Sequence, residues 1–282
     1  MFFKISRFIP VLALAILLGS CNEYQKVLKN TDIKPKYDMA QVYYEAEDYK
    51  RALRLFEQIA PKYVGKPQGE RVMFFLADCY FKRGDYNMAG YQFERFIKSY
   101  AKSDKVPEAA FNGAKSYYML SPSHELDQTD TDKALVKLQA FINMYPDSEF
   151  FAEGNAMAKD LTQKKERKAF EIAKQFNKLG EFNFDVLKSA IAALDNFGSD
   201  YPGSIYREEA LYLKVEATTN MALNSFDAVK KERLENAKEA YSVLKKQYPE
   251  TQFEKKAANL LAKIDKELQN YIEVDTTASE TK

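Results

Sequence analysis

Three side chains among the 282 residues could serve as a soft nucleophile or metal ligand: Cys21, Cys79 and His124. A single imidazole with no spaced cysteine pair cannot supply the three or four N/S donors that a zinc-type site needs. The chain has no HExxH, no GxSxG and no phosphate-cradling glycine loop. Carboxylate pairs such as Asp130 and Asp132 stand where a helix is expected to begin, and there they balance the helix dipole. Cys79 lies in Leu76-Ala77-Asp78-Cys79-Tyr80, a helical stretch that would bury a small thiol. His124 falls in the insertion Ser121–Thr129, read as a solvated loop. These residues point away from catalysis, and no metal or cofactor is expected.

Cys21 stands in a different setting. Lys4 and Arg7 form a positive n-region, and Phe8–Leu18 is an apolar run of 11 residues, too short for a permanent span. Leu18-Gly19-Ser20-Cys21 follows and resembles a bacterial lipobox. That resemblance implies a signal peptide over 1–20, cleavage before Cys21, and diacylglycerol on its sulfur with a further acyl chain, such as palmitate, on the new amine. Several acyl chains hold a protein on a bilayer without a spanning helix. Asn22 replaces the Asp that favours inner-membrane retention, which points to the outer membrane with the body in the periplasm.

Lys and Arg total 42 against 41 Asp and Glu. The balance holds in both halves: 19 basic and 20 acidic residues over 22–153, then 21 and 21 over 154–282. A nucleic-acid partner, which needs a basic face to displace counterions, is not expected.

The elements that would position any site come from a stretch found five times: Ala52-Phe56-Ile59-Tyr63, Ala89-Phe93-Phe96-Tyr100, Ala134-Leu138-Phe141-Tyr145, Ala190-Leu194-Phe197-Tyr201 and Ala237-Tyr241-Leu244-Tyr248. Offsets of 0, 4, 7 and 11 make one helical stripe. Copies 37, 45, 56 and 47 residues apart predict an all-α, helical-repeat solenoid of about five helix pairs. Partner helices show as Tyr37-Ala40-Tyr43-Tyr44, Phe74-Ala77-Tyr80-Phe81 and Phe111-Ala114-Tyr117-Tyr118, then Phe170-Ala173-Phe176, and weakly around Leu213 and Ala217. Residues 21–36 read as a lipid-anchored tether, 37–153 as repeats 1–3, 154–271 as a linking helix with repeats 4–5, and 272–282 as a disordered tail. The linking helix is expected across Ser148–Leu179.

The Ala, Tyr and Gly84-Asp85-Tyr86 pattern resembles the tetratricopeptide repeat. With the lipobox, Ser121-Pro122, Leu126-Asp127-Gln128-Thr129, Phe141-Ile142-Asn143, Tyr145-Pro146-Asp147-Ser148 and the run Leu161–Ala173, the mature chain resembles the BamD family of outer-membrane assembly lipoproteins. The resemblance implies a non-enzymatic scaffold of the β-barrel assembly machinery. It would bind the POTRA domains of an Omp85-type insertase through its later repeats and unfolded barrel precursors through its earlier ones, beside other assembly lipoproteins. A repeat lipoprotein coordinating envelope division or peptidoglycan synthesis is the alternative.

Two candidate surfaces follow from the residues themselves. Adjacent helical residues point about 100° apart, so only one ring of each aromatic pair can enter the inter-helix core. Either the second rings, Tyr44, Phe81 and Tyr118, line a peptide groove, or both rings pack on neighbouring helices. The basic run Lys164, Lys165, Arg167 and Lys168 is either a partner patch or a solvated helix face. We expect Cys21→Ser to abolish fatty-acid incorporation and release the protein from the membrane fraction, measured by metabolic labelling with palmitate and fractionation.

Overall fold

A computed structural model describes residues 23–280, with side chains through Tyr271. Cys21 and the signal segment lie outside the described residues. Eleven helices follow an initial helical stretch over 23–29. They are α1 Ile33–Glu45, α2 Tyr49–Tyr63, α3 Gly69–Lys82, α4 Tyr86–Ser99, α5 Val106–Leu120, α6 Thr129–Met144, α7 Phe151–Gly180, α8 Phe184–Asp200, α9 Arg207–Leu223, α10 Asp227–Gln247 and α11 Glu254–Glu280. No strand occurs among the described residues. The fold is all-α, of the helical-repeat class.

The five repeated alanines, Ala52, Ala89, Ala134, Ala190 and Ala237, are each fully buried. So are Phe56, Ile59, Phe93, Phe96 and Leu138, from the stripe positions beyond them. A methyl at the crossing lets two helices approach, and the large residues beyond fill the space between them. Tyr100, Tyr145, Tyr201 and Tyr248 occupy equivalent slots. Each is a C-cap with φ between −129° and −131°. Each donates its N–H to the carbonyl four residues back, at 2.8–3.0 Å. Tyr63 differs: it is the last helical residue of α2, and the chain turns through Gly65 at φ +77°.

A second recurrence lies in the connectors. Three residues after each of the four C-cap tyrosines stands Ser103, Ser148, Ser204 or Thr251. Its hydroxyl accepts the N–H two residues on, at 3.0–3.2 Å. That next residue then covers an aromatic ring. Phe150 stacks on Phe111 at 4.7 Å, Tyr206 on Phe170 at 4.9 Å and Phe253 on Tyr212 at 4.5 Å, while the Lys105 ammonium sits 5.3 Å over Phe74.

The described residues form two compact units. The first runs to Pro122 and includes Asp127–Leu161; the second comprises Ser123–Leu126 and the chain from Thr162 onward. In unit 1, α1 to α6 pack as consecutive neighbours, and α1 meets α3 as α3 meets α5. The start of α7 completes this unit: Leu161 is fully buried, and a Cβ on Gly154 would come within 3.1 Å of Phe141. The division therefore falls at Leu161, later than the expected boundary at 153, because the first turns of α7 close repeat 3.

In unit 2, α9 packs against α8, α10 and α11. Partners on several sides leave α9 buried around much of its circumference, which explains why its apolar stripe is weak in the sequence. Helix α11 covers the far side through Ala257 and Ile264. It continues to Glu280, through most of the stretch expected to be a disordered tail. That stretch contains no Gly or Pro to stop an established helix from propagating.

The expected tether over 21–36 is also corrected. Tyr24 is 7% exposed and packs edge-on against Tyr43 at 5.5 Å. The Lys36 ammonium is buried and donates to the Leu28 carbonyl at 3.1 Å and to Gln58 Oε1 at 2.5 Å. Tyr24, Val27 and Leu28 have the 0, 3, 4 spacing of a short apolar face, enough to fold this segment onto unit 1.

Turns α1–α2 and α3–α4 share one geometry. Glu47 and Gly84 have φ of +58° and +77°. Asp48 N–H reaches Tyr43 O at 2.8 Å, and Asp85 N–H reaches Tyr80 O at 2.9 Å. This is the Schellman closure of a helix C-terminus. Asp48 caps α2 by accepting from Arg51 N–H at 3.1 Å, whereas the Asp85 side chain makes no capping bond. A left-handed residue with a Cβ costs about 1–2 kcal/mol. Glu47→Gly should therefore stabilise unit 1, and Gly84→Ala should destabilise it, each by about 1 kcal/mol. Urea midpoints of the two variants would show the opposite signs.

Candidate functional site

Four of the six paired rings of unit 1 are tied to carboxylates on neighbouring helices. The first tyrosines reach backward: Tyr80 OH donates to Glu57 at 2.6 Å, and Tyr117 OH to Glu94 at 3.0 Å. The second rings reach forward. Tyr44 OH donates to Asp78 at 2.6 Å, and its ring lies 4.3 Å from Phe75. Tyr118 OH donates to Asp160 at 3.1 Å. Phe81 has no hydroxyl and meets Tyr86 edge-on at 5.6 Å. Tyr44, Phe81 and Tyr118 are all half-buried. Both rings of each pair thus pack against neighbouring elements, and the second rings show only part of their surface.

The electrostatics are those of donors held in place. Burial, the Glu94 hydrogen bond and the Glu94 charge push the Tyr117 hydroxyl up to about 12. Burial and the Asp78 hydrogen bond push Tyr44 well above the ordinary tyrosine range. Burial raises the Asp78 carboxyl, opposed by the Tyr44 hydrogen bond and Lys82. At Glu94, burial raises the carboxyl but is outweighed by Lys137, 2.7 Å away, and by Tyr117, so the net shift is downward. Cys79 is fully buried, and burial pushes its thiol up, which makes it an inert core residue.

Unit 2 has a cleft of about 670 Å³ with α9 at its base and α8 and α10 as walls. Ile191, Met221, Val229, Ala240 and Val243 give it apolar surface. Charges of both signs surround them, with Lys214 paired to Asp195 at 2.5 Å. Arg233 is held by Ser225 at 2.6 Å, with its guanidinium 5.7 Å over Phe184. This groove was not anticipated. Its trace in the sequence is a second stripe on α10, Val229-Arg233-Asn236-Ala240-Val243, alongside the core stripe of Leu234, Ala237 and Leu244.

The basic run on α7 is distributed around the helix. Arg167 is exposed, while Lys164, Lys165 and Lys168 are half-buried. Lys168 donates to the Leu126 carbonyl at 2.6 Å, so the insertion lies along α7. His124 is half-buried and shares a 350 Å³ cleft with Arg167, Lys168 and Glu171. Asn177, where the fourth partner helix lacks its second aromatic, is buried and donates to Glu216 at 2.8 Å. Among the described residues no group of His, Cys, Asp and Glu could hold a metal, and no helix is long and apolar enough to cross a membrane.

The YfiO family model, described as "Outer membrane lipoprotein", matches residues 29–184 and 181–281. The chain belongs to that family. It is also 24% identical over 156 residues to the outer membrane protein assembly factor BamD of Helicobacter pylori, covering 52% of this chain and 68% of the relative. Two solved structures of a Podosopora anserina kinesin light chain with nearly identical TPR-like repeats align with 79% and 84% of this chain and 96% of theirs. Both are 13% identical, at TM-scores of 0.32 and 0.31.

Asp78 and Glu94 predict opposite pH behaviour. A raised carboxyl pKa favours the folded state at low pH, and that contribution is lost as pH rises above the ordinary value of 3.8. A lowered one stabilises above 4.5 and is lost as pH falls. Between pH 4 and pH 7, Asp78→Asn, which keeps an acceptor for Tyr44, should gain stability relative to the parent. Glu94→Gln should lose stability over the same range. Urea midpoints measured across it would show the divergence.

Proposed function

We propose that this chain is a non-catalytic scaffold for assembling outer-membrane β-barrel proteins. The observation that carries the reading is the outer membrane lipoprotein family match across nearly all of the described chain, joined to the BamD similarity. Acyl chains on Cys21 hold it to the outer membrane with its body in the periplasm. The described residues supply docking surfaces, and the buried tyrosine–carboxylate pairs hold the helices of unit 1 together.

Unit 1 receives unfolded barrel precursors along its first helices, where Tyr44, Phe81 and Tyr118 offer half-exposed aromatic surface. Such surface suits the aromatic side chains of a β-strand in transit. Unit 2 docks the POTRA domains of an Omp85-type insertase and neighbouring assembly lipoproteins. The apolar cleft between α8 and α10 supports that role, and Arg167 on α7 supplies an exposed charge at the rim of its own cleft.

Affinity purification from detergent-solubilised membranes should recover an Omp85-type barrel protein. Depletion should lower folded barrel proteins in the outer membrane. Recovery of peptidoglycan-synthesis proteins alone, with barrels at normal abundance after depletion, would overturn the proposal in favour of an envelope-division role.

A further inference from the structure

The fold begins almost at the proposed lipid. Three Cα steps separate Cys21 from Tyr24, about 11 Å at full extension. The headgroup layer of one leaflet is about 5–8 Å thick. Tyr24 is no loose end: it is 7% exposed, lies edge-on to Tyr43, and has the Arg51 guanidinium 5.7 Å from its ring centre. Burial raises its hydroxyl pKa, and the charges of Arg54 and Arg51 oppose that rise. Arg51 also pairs with Asp48 at 3.0 Å, and the one acidic residue on the 23–29 helical stretch is Glu23. Arg54, one turn further along α2, is exposed and has no ion-pair partner among the described residues. Lys50, on the same face, is also exposed, and the one carboxylate of that stripe, Glu57, accepts from Tyr80 at 2.6 Å.

We propose that the first helix pair of unit 1 is seated directly on the phospholipid surface, with Arg54 and Lys50 of α2 turned toward anionic headgroups and Tyr24 locking the anchor to the fold. This rests on acylation at Cys21. It goes beyond anchoring, because a floating body and a seated one carry the same lipid. The segment expected to be a tether is the part that excludes floating: its apolar face packs on Tyr43 and α2. Cationic side chains next to an anchor add attraction to anionic lipid that falls off within a Debye length of the surface.

The chain contains no Trp, so a single introduced Trp reports without background. Full-length lipidated protein carrying Lys50→Trp, or Lys133→Trp on α6 as the reference, would be reconstituted into phosphatidylcholine vesicles with and without phosphatidylglycerol. The quencher is a phosphatidylcholine spin-labelled at its headgroup. Quenching at position 50 should exceed that at position 133 at least twofold in the anionic vesicles. Adding Arg54→Glu should reduce it without releasing the protein. Equal quenching at the two positions in protein that floats with the vesicles, or quenching at position 50 indifferent to Arg54→Glu, overturns the seating and leaves the anchor standing. Protein that bears no lipid by mass and fails to float overturns both.

Discussion

Everything in this molecule depends on alanine at the helix crossings. A helix of three or four turns is marginal alone in water and is held by burying one face against a neighbour. Ala52, Ala89, Ala134, Ala190 and Ala237 are fully buried because two backbones approach there, and their partner alanines Ala40, Ala77, Ala173 and Ala217 are buried as completely. A larger side chain at such a crossing would overpack it, at about 1–3 kcal/mol. The approach in turn brings Phe56, Phe93 and Phe96 into contact with the next helix, where each contributes roughly 1.5–3 kcal/mol of burial. No pair closes its own core, so each unit gains its stability through succession.

Polar chemistry follows from that packing. Helices drawn close by small residues trap tyrosine hydroxyls between them, and a buried hydroxyl without a partner is costly. The solution recurs at one spacing: Tyr80 to Glu57 and Tyr117 to Glu94 each link residues 23 apart. Glu94 also binds Lys137, which joins α4, α5 and α6 through one carboxylate. Such pairs shift acidity, as catalytic pairs also do. Perturbation alone therefore does not mark an active site. Here Asp78 and Glu94 face tyrosines or a lysine of the same stack, and Glu208 faces Thr251 and Gln252, so these charges hold helices and connectors together.

The repeats were legible because periodicity survives wherever a helix has one buried face. The alanine stripe, the Gly84 turn and the single long helix from repeat 3 into repeat 4 could all be read from residue spacing. Where a helix has several partners the signal fades, as in α9, whose buried positions encircle much of it. Short apolar faces were lost as well: Tyr24, Val27 and Leu28 are three residues among lysines and asparagines, too few to register as a period. The connectors held an overlooked regularity. Ser148, Ser204 and Thr251 follow Tyr-Pro pairs at fixed offsets and position the stacking rings of Phe150, Tyr206 and Phe253. The candidate groove of unit 2 was the least legible feature, since a concavity between helices leaves only a second, weaker stripe on α10.

The exposed apolar side chains are as informative as the buried ones. Ile172, Phe176 and Leu179 recur at helical spacing on α7 and are 36–48% exposed, while Phe182, just beyond them, is 84% exposed. Within unit 2 this is the open end of the stack, and α11 closes the other. Stacked repeats keep their ends soluble by turning a polar face outward. The α11 end follows that rule in the residues around Ala257 and Ile264: Glu254, Lys255, Lys256, Lys263 and Lys266 alternate with the apolar contacts. The α7 end of unit 2 does not follow it, and an apolar edge of this kind has a cost in water. The two ends of unit 2 thus meet water differently, the α11 end through charged side chains and the α7 end through exposed apolar ones.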